Sequence, residues 1–282
     1  MKIGLTLSGG GVRGAAHIGA IKALQENGIK IDAVAGTSAG SIVAALLGMG
    51  YTTDEMIKIF NYFSKNVMAI SPKYMLGGIK EKRGIQIGGI TTSYNIENAI
   101  EEVGKLKNIV NIKDIEMPIA IPATDLISNK EIVFTNNSAV EGEEYIKDIE
   151  IGKAVRASST FPGMYAPFDY GEYQFVDGGI FDNLPVEETK KLGVDKVIAI
   201  KFGFESGKRN KAIYNIAMQS LDLMSENLIK ESLQNCDSVV EINLKDVKPF
   251  SIGKLEFCYR EGYIQTIDNI SRIKKALERW KN

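Results

Sequence analysis

The sequence predicts an α/β fold with a parallel sheet covered on both faces, and three observations predict it. Two strand-to-helix units follow each other directly from the amino terminus; strand and helix patterns keep alternating after them; and no linker, repeat or composition shift divides the 282 residues. One domain over residues 1–282 with a sizeable core is therefore expected.

The first unit opens with "KIGLTL", where Ile3, Leu5 and Leu7 alternate as in a strand that runs into the glycines at 9 to 11. From Val12 to Glu26 the small and apolar residues recur at helical spacing, and Gly28 marks the stop. "IDAVAG" then reads as a second buried strand, and "AGSIVAALLGMG" as a helix of small residues behind it. Links this short, leading strand to helix to strand, imply parallel pairing through right-handed crossovers.

Further along, "PIAIPATDL", "EIVFTN", "YQFVDGG", "DKVIAIKF" and "SVVEINL" read as strands. "IEIGKAVRAS", a long segment near 211–234 and a closing segment near 262–281 read as helices, with Met218 and Met224 expected on a core stripe. The segment 64–90 is the least patterned, and its Met68, Ile70, Tyr74, Met75 and Leu76 suit a flap or core packing. In the last helix a stripe of Ile267, Ile270, Ile273, Leu277 and Trp280 faces a basic run from Arg272 to Lys281, the pattern of a solvated helix lying on the core.

Composition narrows the function. Thirty-four basic and 35 acidic side chains leave a formal net charge of −1, which argues against a nucleic-acid partner. Cys236 and Cys258 lack metal-ligand spacing and read as free buried thiols of a reducing compartment. With no signal-peptide pattern and no apolar run of membrane-spanning length, a cytoplasmic protein is expected. No metal and no cofactor is expected either.

One motif carries chemistry. In "VAGTSAGS", Ser38 occupies the centre of a GxSxG spacing at a strand-to-helix turn, where Gly36, Ala39 and Gly40 tolerate a sharp elbow and the helix start favours negative charge. The bland alternative is a serine capping the helix. An α/β-hydrolase would place a histidine after the serine, yet the only histidine, His17, lies upstream of it. A carboxylate is then the expected base, and Asp177, closing the "YQFV" strand before Gly178 and Gly179, is best placed; Asp-Gly is also a common turn.

The stretch "SGGGVRG" at 8–14 supplies a third part, because a glycine turn feeding a helix exposes backbone N–H groups to an anion. Gly9, Gly11 and Gly14 also satisfy GxGxxG, so dinucleotide binding is weighed. The second strand argues against it. It ends in the serine elbow rather than in a ribose-binding acid, and Asp32 precedes its apolar run.

Taken together, "GGGVRG" at 9–14, "GTSAG" at 36–40 and "DGG" at 177–179, with "ASSTFPGMYAPF" before the last and "FDNLPV" after it, resemble the patatin-like phospholipases, specifically small bacterial members. The likeness covers most of the first 200 residues. It implies a three-layer α/β/α sandwich with a mostly parallel central sheet, and a Ser-Asp dyad mapped onto Ser38 as nucleophile and Asp177 as base. It further implies an oxyanion hole at Gly10 and Gly11, support from Gly9, Gly14, Gly36 and Gly40, a structural His17, and an Arg13 that supports the loop or contacts phosphate. The expected partner is a lipid or acyl-ester substrate, with transient contact to a membrane surface and an oligomeric state left open. The alternatives are an acyl-sensing regulatory protein without catalysis and, behind it, a dinucleotide-dependent oxidoreductase.

Overall fold

The computed structural model of the protein describes residues 1–66, 93–203, 213–249 and 251–278. Strand β1 (Ile3–Leu7) leads through a 3-10 turn at Gly11–Gly14 into α1 (Ala15–Glu26), and β2 (Ala33–Gly36) leads into α2 (Ala39–Gly48). The two units expected from the amino-terminal pattern are present. The first helix differs only in its opening turn, which the glycines wind more tightly than an α-helix.

After α3 (Thr53–Asn66) and α4 (Tyr94–Leu106) come β3 (Ile119–Asp125), β4 (Lys130–Thr135), β5 (Tyr145–Ile146), α5 (Ile151–Ser159), β6 (Phe168–Tyr170) and β7 (Tyr173–Asp177). Helix α6 (Val186–Lys191), β8 (Lys196–Phe202), α7 (Ile213–Leu233), β9 (Ser238–Ile242) and α8 (Leu255–Glu278) complete the order. The segment read as a flap lies almost entirely outside the described residues.

Five strands run parallel in the order β3-β2-β1-β8-β9. Antiparallel β4 extends the sheet beyond β3, and β5 follows it. Every residue of β1, β2, β3 and β8 is buried, as it must be in a sheet with helices on both faces. On one face Leu5, Leu7, Ile18, Ile42, Phe60 and Ile273 belong to the main core. Val197 and Ala199 point to the other face, against Leu184, Val186 and Ile229 of the segments around α6 and α7. The fold is a three-layer α/β sandwich with a mostly parallel central sheet.

Helix α8 begins at Leu255, seven residues before the expected start, with Leu255 and Cys258 already buried in this opening stretch. The two helices cross backbone to backbone: a Cβ on Gly19 would fall 2.0 Å from the Tyr259 carbonyl oxygen, and one on Gly262 would fall 2.0 Å from that of Ala16. Ile273 and Leu277 are buried while Arg272, Lys274 and Lys275 are exposed, so the basic run is a solvated face over the core. Trp280 lies outside the described residues.

Two sequence expectations need correction. Met224 is 62% exposed rather than on a core stripe, on a stretch of α7 where Leu223 and Leu228 are exposed as well. Cys258 is a buried thiol, as expected, but Cys236 is only partly buried, donating to the Leu233 carbonyl from the end of α7.

Candidate active site

Ser38 stands between β2 and α2 with φ 54° and ψ −121°, a region that side-chain-bearing residues seldom adopt. Its neighbours make the elbow possible. A Cβ on Gly36 would come within 2.3 Å of the Gly40 carbonyl oxygen, and one on Gly40 within 2.4 Å of that of Leu7, so the turn closes only with glycine at both. The strain is held by hydrogen bonds: Ser158 Oγ accepts from the Ser38 N–H at 3.0 Å, and Ser41 and Ser159 hydroxyls donate to its carbonyl. The Ser38 side chain makes no capping bond to α2, so the capping role considered from the sequence is not the one it has.

Sheet topology explains how Asp177 reaches this elbow. Strand β3 pairs with β2 only at Ile119 and Ala120, because β2 ends at Gly36 and turns away into α2. The freed edge of β3 is taken by β7, which pairs antiparallel at Ala123–Asp125. Running antiparallel, β7 delivers its last residue, Asp177, opposite Ala123, where β2 has just departed. A Cβ on Gly178 would lie 2.3 Å from the Pro122 carbonyl oxygen and 3.2 Å from Thr37 Cγ2, which shows how tightly the two turns meet.

Asp177 is 3% exposed, and burial pushes its carboxyl up to about 6, opposed by hydrogen bonding from Ser38 and then from the Gly179 backbone. Oδ1 accepts the Gly179 N–H at 2.9 Å, the turn-forming role that Asp-Gly suggests. Oδ2 is buried with no partner of normal hydrogen-bond geometry, so the Ser38 hydroxyl influences the carboxyl without closing a full bond to it.

The glycine turn completes the arrangement. Gly11 has φ +61°, and a Cβ there would lie 2.2 Å from the Pro249 carbonyl oxygen, so the chain passes this point only as glycine. The Gly9 N–H is bound to Asn183, and the Val12 N–H to Pro249. Among the described residues the N–H groups of Gly10 and Gly11 have no such partner. Gly14 lies under Phe60 and Ala39, which fixes the turn against α2 and α3. Arg13 Nε donates to the Gly10 carbonyl at 3.1 Å while its guanidinium stacks 5.3 Å above Phe202, so loop support is a role it visibly has.

His17 is fully buried in α1, its Nε2 2.8 Å from the Ser8 carbonyl. Because a carbonyl only accepts, Nε2 carries the proton. Burial drives the imidazole down to about 4, so it is neutral at physiological pH, and its one hydrogen bond goes to backbone rather than to the serine. Its 4.6 Å ring contact with Phe202 places it among packing residues.

Gly10, Gly11, Ser38 and Asp177 line one cavity of about 130 Å³, walled mainly by apolar side chains including Ile42, Phe63 and Phe161. Leu221 and Met224 of α7 also face it, and the exposed Ile180 stands at its edge. The structure therefore brings Gly9, Gly10, Gly11, Arg13, Ser38 and Asp177 to one cavity, with Gly14, Gly36 and Gly40 packed behind it. Sequence reasoning assigned no role to Asn183, Ser158 or Ser159. Asn183 lay within the quoted "FDNLPV", six residues beyond Asp177, but its contact with Gly9 crosses 174 positions.

A family model for the patatin-like phospholipases matches residues 5–190, about two thirds of the sequence. The chain belongs to the patatin-like phospholipase family. Among its relatives, a Mycobacterium bovis protein described as an uncharacterized NTE family protein is 30% identical over 224 residues, which cover 79% of this chain and 55% of that one. Lysophospholipase NTE1 of Meyerozyma guilliermondii is 31% identical over 202 residues, 71% of this chain but 12% of that protein. This patatin-like chain thus spans between about an eighth and just over half of these curated relatives.

In three dimensions this family member is similar to VipD from Legionella pneumophila, with a TM-score of 0.52 at 17% identity over 96% of this chain and 67% of that one. Human GIVD cytosolic phospholipase A2 gives 0.51 at 11% identity over 98% and 58%. At such identities the likeness speaks to the fold. The family match ends at 190, yet β8 and β9 continue the patatin-like sheet beyond it.

Proposed function

We propose that the protein is a serine-dependent acyl hydrolase acting on lipid esters, with Ser38 as nucleophile, Asp177 as base and the Gly10 and Gly11 N–H groups as oxyanion donors. The observation that carries this reading is the convergence of a strained serine, a buried carboxyl and two unbound amides on one apolar cavity. The family description and the relative named a lysophospholipase support lipid as the substrate class.

In the proposed cycle Ser38 Oγ bonds to the ester carbonyl carbon while its proton passes to Asp177. The carbonyl oxygen takes up negative charge beside the Gly10 and Gly11 amides. As the tetrahedral species collapses, the carbon–oxygen bond to the alcohol breaks and the alcohol takes the proton from Asp177. Water then repeats the sequence on the acyl-enzyme, with Asp177 again as base. An aspartate raised to about 6 is still ionised at neutral pH and is a stronger base than a free one, so no histidine is needed.

The rim of the cavity suits a lipid surface. Ile180 and Met224, which line the cavity, are each more than a third exposed, as are their chain neighbours Phe181 and Leu223, and exposed apolar side chains at a cavity favour contact with an aggregate of amphiphiles. Among the described residues no helix is long and apolar enough to cross a membrane.

Covalent labelling by a fluorescent fluorophosphonate tests the reading. The wild-type chain is expected to be labelled at Ser38, and Ser38→Ala to lose both the label and turnover of a chromogenic acyl ester. A folded wild-type chain that binds acyl groups but is neither labelled nor active would establish the acyl-sensing alternative instead.

A further inference from the structure

The turn that follows α5 is hooked onto Asp177. Thr160, the first residue past the helix, accepts the Asp177 N–H on its carbonyl at 2.9 Å. Gly163, at φ +81°, lets the chain fold back, and the N–H groups of Met164 and Tyr165 both donate to the Phe161 carbonyl. Tyr165 is thereby returned to the wall of the cavity that Ser38 and Asp177 share.

It brings a polar group to a wall that Phe161, Pro162, Phe63 and Ile42 make apolar. Tyr165 is 6% exposed, and among the described residues its hydroxyl makes no hydrogen bond. Unlike the Ser8 and Ser225 oxygens, that hydroxyl is not sealed off from the space around it. A phenol held this deep in a protein ordinarily has a partner, because an unmade hydrogen bond there costs free energy that a bound molecule can recover. Burial pushes Tyr165 up to about 12, and the Asp177 carboxylate adds to the shift through space, with no hydrogen bond between them. The phenol therefore keeps its proton at neutral pH and stands beside the base as a donor.

The proposed cycle indicates what it donates to. The ester's carbonyl oxygen is turned toward the Gly10 and Gly11 amides, so the alcohol oxygen lies toward Asp177, which hands it a proton. Tyr165 is on that side, tied there through Thr160. When the carbon–oxygen bond breaks, its electron pair stays on the alcohol oxygen, and a hydrogen bond to that atom strengthens as the charge grows.

We infer that Tyr165 is a further catalytic residue: its phenol donates a hydrogen bond to the departing alcohol oxygen and keeps its own proton, while Asp177 supplies the one transferred. The inference rests on the hydrolase reading and deepens it. It fits the site to esters of weakly acidic alcohols, such as glycerides, whose departure needs this help.

The test compares kcat/KM, which reports acylation, for the full-length chain on esters of one fatty acid with p-nitrophenol, phenol, trifluoroethanol and ethanol, alcohols of falling acidity. Tyr165→Phe keeps the ring and deletes the donor. Its loss is expected to be on the order of 10- to 100-fold larger on the ethyl ester than on the p-nitrophenyl ester, with the others in between. Tyr165→Met, which also fills the space without a donor, should repeat that order. Equal losses across the series would make Tyr165 a packing residue and overturn the inference. So would a shifted acid limb with the order of esters unaltered, since the phenol would then act through Asp177. A wild-type chain that cleaves none of the esters and takes no fluorophosphonate at Ser38 would remove the hydrolase reading itself, and this inference with it.

Discussion

Asn183 accepts the Gly9 N–H through two oxygens, its side-chain Oδ1 at 3.0 Å and its backbone carbonyl at 3.3 Å. This shared hydrogen ties the loop that follows Asp177 to the turn carrying the Gly10 and Gly11 amides. The proposed base and the proposed oxyanion donors are therefore held in register by one residue whose hydrogen bonds to this turn go to Gly9.

Removing that tie should cost rate more than stability. Asn183→Ala leaves the backbone carbonyl in place and deletes one hydrogen bond, worth about 1 kcal/mol. A turn shifted by a fraction of an ångström should lower ester turnover on the order of 10- to 100-fold. Steady-state kinetics beside a thermal melt checks the split; a large loss of Tm with an unchanged rate would contradict it.

The Asp177 carboxyl, raised to about 6, sets the acid limb of activity. Below that pH the proposed base is protonated, so kcat/KM should fall about tenfold per pH unit. A flat profile between pH 4.5 and 7 would remove Asp177 from the role of base.

Stability should move the other way. A carboxyl raised from 3.8 to about 6 on folding binds its proton more tightly in the native state than in the unfolded chain. Native stability therefore declines as pH rises through that window, by an amount on the order of 2–3 kcal/mol in all. Asp177→Asn, inactive but uncharged, should melt at a higher temperature than wild type at pH 7.5 and close to it at pH 4. Calorimetric melts at both pH values measure this.

The single histidine gives a clean spectroscopic test. His17, neutral and held near 4 by burial, should show imidazole proton shifts in NMR that stay constant from pH 5.5 to 8. A titration near 6.5 would place it in a solvated or charged setting and reopen a histidine-assisted mechanism.

The crossing of α1 and α8 is testable by a single methyl group. Gly262→Ala would place a Cβ 2.0 Å from the Ala16 carbonyl oxygen, and its three nearest atoms are all Ala16 backbone, with no flexible side chain to yield. Such overpacking should cost about 1–3 kcal/mol, read as a lower midpoint in urea unfolding.

Much of this protein was legible in its residue order. Alternation in "KIGLTL" and the helical pattern behind it follow from local geometry, and the glycines around Ser38 announce an elbow because few other residues tolerate it. The position of Asp177 at a strand end was equally local. Met224 was misread because helical spacing reports a periodicity without saying which layer, if any, covers each face.

Pairing across the chain decided the rest. That Asp177 meets the Ser38 elbow depends on β2 leaving the edge of β3 early and β7 taking its place in the opposite direction. The Asn183 clasp and the cavity beside α7 likewise join segments more than a hundred residues apart. Residue order thus determined the elements and the reactive groups they carry, because hydrophobic periodicity and backbone sterics act between near neighbours. Only the folded chain chose which groups meet, because that choice is made by strand pairing and layer packing, whose partners are distant in sequence.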